Sequence, residues 1–389
     1  MITIEPNIYY VLLSILGASF IILLLYQFIM YRRIYANNKK VKTTTNSYPP
    51  LSVIITVKEV PQRLSRNLPY ILNQDYPNFE VIIVNENSDE ETNEVIMNLE
   101  QTYKNLHHTF IPDSTRYVST KKLAVSLGIR ASHYDWLVFT EIDSYPSSDQ
   151  WLKKMSENFS DNTDIVIGYS NYEKKKGIFA RYITFDMLFF SMRYLGAALL
   201  KCPYTGFGHN LCYRKSLFAN SKGFSSHLQL QRGEDDLFIN SVANSTNTKV
   251  ETSPESVVKI EVPDFHQTWK EEKLSYAVTS HFYKGISRYI MGFDSFIRYI
   301  FLLSVAVNLT ISIIESNWII TGLVSFVFIF IEIITIVTIN QTAKSMNERR
   351  FYLSVPLFLF IRPMKNLNFK IHKMFGSKKE FMRKIIQNA

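Results

Sequence analysis

Cysteine is nearly absent: Cys202 and Cys212 are the only two in 389 residues. A disulfide-stapled scaffold is therefore excluded, their spacing fits no zinc pattern, and both read as buried thiols of a reducing compartment. A phosphate-cradling glycine loop is also missing. Thr205-Gly206-Phe207-Gly208-His209-Asn210 has two close glycines at the wrong spacing, and reads as a place where backbone approaches a ligand or a neighbouring strand. With no second histidine at metal spacing, His209 reads as a hydrogen-bonded structural residue. Charge is missing altogether from Ile8 to Met30, and Lys and Arg are missing from Met1–Asn7 and Glu315–Asn317.

What replaces charge is apolar length. Ile8 to Met30 suffices for one membrane-crossing helix, and with no basic leader before it and Arg32-Arg33 after it, an uncleaved anchor fits better than a signal peptide. Tyr299–Ile314 and Trp318–Ile339 form a hairpin of two further spans; the first is short and draws on Phe296, Ile297 and a snorkelling Arg298. Glu332, inside the last span, is expected to be protonated or paired at a helix interface. The implied division is an anchor (1–30), a polar linker (31–50), a folded domain (51–295), a hairpin (296–340) and a basic tail (341–389) with a short interfacial segment at 351–361. Basic residues flank the anchor and hairpin on one side only, which puts the N-terminus outside and the domain in the cytoplasm. Much of the net charge of +9 lies in the tail, which suits anionic lipids; no nucleic-acid partner is expected.

Between anchor and hairpin, strand-like and helical patterns alternate. "LSVIITV" (51–57) and "FEVIIVN" (79–85) are β-branched runs suited to the middle of a sheet, and 108–111 and 136–140 also read as extended. Helical stretches lie between them, so the domain is α/β with a mainly parallel sheet, whose ligands bind at the carboxyl ends of the strands. Glu141-Ile142-Asp143 falls at such an end. Two carboxylates there can share a hard divalent cation, although a solvated loop accounts equally for the pair alone. Gly233-Glu234-Asp235-Asp236 puts three acids before a helix, more than capping requires; their crowding raises at least one pKa, which suits a general base. Asn85 to Glu91 reads either as a helix cap or as a loop that meets a nucleobase.

"SVIITVKE", "VIIVNENSDEET", "TKKLAVSLGI", "FTEIDSYPSSDQWL", "GFGHNLCYRKSLF", "GEDDLFIN" and "WKEEKLSYAVTSHFYK" occur in an order and spacing that resemble membrane-anchored bacterial glycosyltransferases of family 2. That resemblance covers Leu51 to Lys284. It implies a GT-A fold, a Rossmann-like α/β domain, and inverting, Mg2+- or Mn2+-dependent transfer from a nucleotide-diphosphate sugar, with a UDP-sugar favoured. The acceptor it implies is a lipid-linked or cell-envelope glycan at the inner (plasma) membrane. Thr56, Lys58, Glu59, Asn85, Lys121, Glu234 and Asp236 match donor-side positions, Asp143 and Glu141 the metal pair, and Asp235 the catalytic base.

Departures from the family pattern are specific. Asn85 and Glu141 stand where aspartates are usual, and Glu272-Lys273-Leu274-Ser275-Tyr276 lacks the arginine of a Q-x-x-R-W motif, which argues against a processive polymerase. Two other readings stay open: a glycosyl-phosphoprenol synthase, and a weakly catalytic membrane scaffold of a glycan assembly complex.

Overall fold

The computed structural model describes residues 6–39, 48–58, 61–86, 90–111, 119–262, 264–285 and 287–375. Glu59, the loop 87–89, Met1 and the tail beyond Phe375 lie outside them. The strands are β1 (Leu51–Val57), β2 (Phe79–Asn85), β3 (Leu106–Phe110), β4 (Trp136–Phe139), β5 (Ser144–Pro146), β6 (Ile165–Ile167), β7 (Ser170–Tyr172), β8 (Leu211–Arg214), β9 (Thr248–Val250) and β10 (Val258–Ile260). Seven of them form one sheet in the order β3-β2-β1-β4-β8-β6-β9, and β5-β10-β7 form a second. Only β8 in the large sheet runs against its neighbours, so the domain is α/β with a mainly parallel sheet.

Side-chain alternation explains why β1 sits in the middle. Val53 and Ile55 pack on one face with Leu64, Leu68 and Ile71 of the helix Pro61–Leu72, while Ile54 packs on the other with Val125 and Ile129 of the helix Thr120–Ala131. Both faces are covered, so the β-branched run is buried except at the half-buried Thr56. Cys212 lies in the same core, whereas Cys202, expected to be buried, is exposed just past the end of the helix Ile178–Leu199. Because β1, β2 and β4 are parallel, Thr56, Asn85 and the turn after Phe139 meet at one edge of the sheet.

The N-terminal helix does more than anchor. It begins at Pro6, passes through a π-helical turn at Tyr26–Tyr31 and continues to Asn38, so the stretch expected to be linker from residue 31 is helical for its first two turns. Met30, Tyr31 and Ile34 join the main core of the folded domain. Gly196, on the helix Ile178–Leu199, permits this approach: a Cβ there would lie 3.0 Å from the Met30 carbonyl oxygen.

Among the described residues three helices are long and apolar enough to cross a membrane: Tyr9–Asn38, Gly292–Ile314 and Trp318–Ser345. The helix of the second span starts at Ser287, upstream of the boundary at 295/296, so this first span of the hairpin is not short. Arg298 does not snorkel. Its guanidinium donates to both Glu332 carboxylate oxygens at 2.6 and 2.8 Å, with both side chains buried between the helices. The segment 351–361 is also longer than expected, since a helix runs from Ser354 to Phe375 through Pro363. It docks on the folded domain, where Arg362 donates to Asp186 at 2.6 Å and Phe369 stacks edge-on against Trp269.

Leaving one member of a buried ion pair unpartnered costs roughly 3–5 kcal/mol, whereas replacing both with apolar residues is often neutral. Arg298→Leu or Glu332→Leu alone should therefore lower the melting temperature of the detergent-solubilised protein, and the double substitution should recover most of the loss.

Candidate active site

After β4 the chain turns at Glu141-Ile142-Asp143 and enters β5. Ile142 is buried in the core and its carbonyl accepts from Asn67 Nδ2 at 2.9 Å, which fixes the turn and leaves the two acids to either side projecting from it. Strand pairing holds the far end: the Glu261 N–H donates to the Asp143 carbonyl at 2.7 Å as β10 runs beside β5. Glu141, Asp143 and His209 each offer a donor atom within 4.8 Å of the others. Two carboxylate oxygens and an imidazole suit Mn2+ well, so the residues present fit a hard divalent cation.

His209 reads as structural from its sequence surroundings, yet it belongs to this cluster. Its Nδ1 lies 2.8 Å from Ser144 Oγ and its Nε2 lies 3.3 Å from Glu272, which itself accepts from the Tyr172 hydroxyl at 2.5 Å. Burial would lower the imidazole pKa, but Glu141, Glu272 and Asp143 together raise it to about 10. Histidine spacing could not reveal this partner, because its neighbours are acids far away in the chain.

Lys121, on the helix Thr120–Ala131, supplies the balancing charge: its ammonium donates to Glu141 at 2.5 Å and lies 3.3 Å from Glu234. Burial opposes ionisation of Glu141, but Lys121, His209 and Arg232 hold its pKa down to about 2. Asp143 moves the other way, to about 6, through burial and the charges of Glu141 and Glu272.

Gly233 opens the acidic run at φ 102°, a conformation that favours glycine, and a Cβ there would strike Leu237. Of the acids that follow, Asp236 is turned into the protein: its carboxylate accepts from the Thr279 and Tyr283 hydroxyls and the Leu237 N–H. This differs from the donor-side place expected for it, because those internal hydrogen bonds already engage both its oxygens. Asp235 instead borders a small cavity of about 30 Å³ with Thr56, Lys121, Glu141 and Glu234. Among the described residues it accepts only backbone hydrogen bonds, from Gly208 at 2.9 Å and Asp236 at 2.7 Å. Burial and the charges of Asp236 and Glu234 push its pKa up to about 7.

On the donor side, Asn85 is fully buried at the end of β2, with its amide donating to Asn93 at 2.8 Å. The next residue, Glu86, carries no sequence signal of its own. It accepts from Thr120 at 2.9 Å and feels the charges of Lys121, Lys58 and Glu141, so a carboxylate is present one position after the amide. Lys58 is exposed at the same edge. Arg232 is equally inconspicuous in the sequence, and its positive charge faces Glu234 and Glu141 although position 275 holds no arginine.

Residues 52–219 match the model of glycosyl transferase family 2. That match covers less than half of the chain. An uncharacterized glycosyltransferase of Haemophilus influenzae is 24% identical over 124 residues, covering 32% of this chain and 47% of that relative, so the match spans about half the relative's length. Among solved structures, a mannosyltransferase from Pyrobaculum calidifontis in complex with GDP-Man and Mn2+ is 15% identical, with a TM-score of 0.54 over 87% of this chain and 98% of that one. That likeness concerns the GT-A fold.

Beside the acidic cluster, a cavity of about 520 Å³ opens between the domain and the membrane helices. Glu272, Thr205 and Tyr283 line its inner end, and Ser295, Phe296 and Tyr299 of the second span line its outer end. Loss of even an indirect metal partner commonly weakens binding about 10–100-fold. Titrating the full chain with Mn2+ by calorimetry should accordingly show at least a tenfold loss of affinity for His209→Ala and for Asp143→Ala; unchanged affinity in both would exclude the cluster as a metal site.

Proposed function

We propose that the protein is an inverting glycosyltransferase of the inner (plasma) membrane that moves a sugar from a nucleotide-diphosphate donor, a UDP-sugar in the first instance, to a hydroxyl of a lipid-linked or envelope glycan. The observation that carries this reading is Asp235, a carboxylate bordering the same small cavity as Glu141 and Lys121, with its other acidic neighbour Asp236 fully engaged elsewhere.

Asp235 accepts the proton of the acceptor hydroxyl as that oxygen attacks the anomeric carbon from the face opposite the diphosphate. Inversion follows from this single displacement. Lys121, with Arg232 near it, presents positive charge to the leaving diphosphate, and Lys121 is fixed before reaction by Glu141 and Glu234. Thr56, Lys58, Glu59, Asn85 and Glu234 form the donor side, and the buried amide of Asn85 can both donate to and accept from a base. Glu141, Asp143 and His209 would hold Mg2+ or Mn2+, which neutralises diphosphate charge when bound.

The acceptor would arrive through the larger cavity, whose outer wall is a spanning helix. Its cations Lys273 and Arg193 are already paired, with Asp186 and Asp294. That balance favours a hydroxyl acceptor over the lipid phosphate of a phosphoprenol synthase. The one-sided distribution of Lys and Arg supports a cytoplasmic domain with the N-terminus outside.

With its pKa raised to about 7, Asp235 is increasingly protonated below that pH, and a protonated carboxyl cannot take the acceptor proton. Purified full-length protein supplied with UDP- and GDP-sugars, acceptor membranes and Mn2+ should release nucleotide diphosphate at a rate that falls about tenfold per pH unit below the pKa. Asp235→Asn should lose about 10²–10⁴-fold in kcat with donor affinity retained; full activity in this variant would remove Asp235 as the base.

A further inference from the structure

At the opposite edge of the large sheet, next to β9, the N-terminal helix and the domain enclose a second cavity, of about 640 Å³. Arg32 and Arg33 line it from the helix, Lys201 from the end of the helix Ile178–Leu199, and Lys249 from β9, while no acidic residue lines it. Among the described residues none of these cations forms an ion pair, and Arg32 has only the Phe28 ring, 5.9 Å away. The adjacent carboxylate, Glu251, is fully buried and accepts from Asn158 Nδ2, the Ser253 N–H and the Ser256 hydroxyl.

Two further observations give this notch a direction and a reason. Phe28 and Ile29 are apolar and exposed immediately before Arg32, and ten residues after Phe28 the helix is tied to the domain, where Asn38 Nδ2 donates to the Thr252 carbonyl at 2.7 Å. The notch therefore lies where the helix passes from apolar surroundings to the domain, the level of lipid headgroups. Lys201 stands at φ 66° in the turn that ends its helix, a position that suits glycine, yet the residue there carries an ammonium group.

We propose that this notch binds the phosphodiester headgroup of an anionic phospholipid, a lipid site separate from the reaction centre. It rests on the membrane reading above. A headgroup held there would clamp the N-terminal helix against β9 and set the rotation of the catalytic domain over the membrane surface. Each cation close to an anionic headgroup adds on the order of fivefold to affinity.

Full-length protein in neutral detergent, examined by native mass spectrometry, provides the test. The probes are phosphatidylglycerol, phosphatidylcholine and inorganic phosphate. Wild type should retain phosphatidylglycerol over phosphatidylcholine, with millimolar phosphate failing to displace it. Lys201→Gly and Lys249→Gln should each lower that retention about fivefold. Lys201→Gly also relieves the backbone, so an unchanged or raised melting temperature separates lost binding from lost folding. Equal phosphatidylglycerol retention in wild type and the double variant would overturn the proposal, as would equal retention of phosphatidylcholine or displacement by phosphate. Flotation with phosphatidylcholine vesicles separates the two readings: protein that floats but shows no anionic preference contradicts the notch alone, and protein that does not float contradicts the membrane reading as well.

Discussion

Carboxylates crowd one edge of the sheet, and the Lys121 ammonium lets them stay there. It bonds Glu141, which comes from the end of β4, and faces Glu234, which comes from the start of another helix, so it ties together two acidic loops that would otherwise repel. With His209 it holds Glu141 ionised, while burial and the neighbouring carboxylates raise Asp143 and Asp235 toward neutrality. Groups that ionise at different pH can take different parts in one reaction.

Paired charge also joins the domain to the membrane helices. Asp186, on a buried helix of the domain, takes Lys273 from the helix Phe265–Thr279 and Arg362 from the C-terminal helix. Arg193 and the Tyr31 hydroxyl converge on Asp294 at the start of the second span. Arg298 and Glu332 close the hairpin. Buried pairs of this kind contribute little net stability but penalise any other arrangement of their helices. The cavity of about 520 Å³ lies among the first two of these pairs, so its shape depends on the docked position of the spans.

Much of this architecture is legible in the amino-acid sequence. β-Branched runs bounded by turns locate β1 and β2, apolar length locates the spans, strand-end placement draws attention to Glu141 and Asp143, and the crowding of acids before a helix draws it to Asp235. What the chain order hides are partnerships across long separations. His209 has no histidine neighbour in sequence, and only folding brings it to Ser144 and Glu272. Arg298 resembles a snorkelling residue because Glu332 lies 34 positions away. The length of the C-terminal helix is hidden because its apolar run ends at Ile361; in the structure Pro356 falls in the helix's first turn and the docked face of Arg362 and Phe369 carries the helix past Pro363.

The central claim is that one carboxylate, Asp235, drives a single in-line displacement at the anomeric carbon. Proton NMR of the first-formed product from an α-linked nucleotide-sugar, recorded before anomers equilibrate, tests it most directly. A β-linked product is expected, whereas an α-linked product would require a second displacement or front-face attack and would contradict the account.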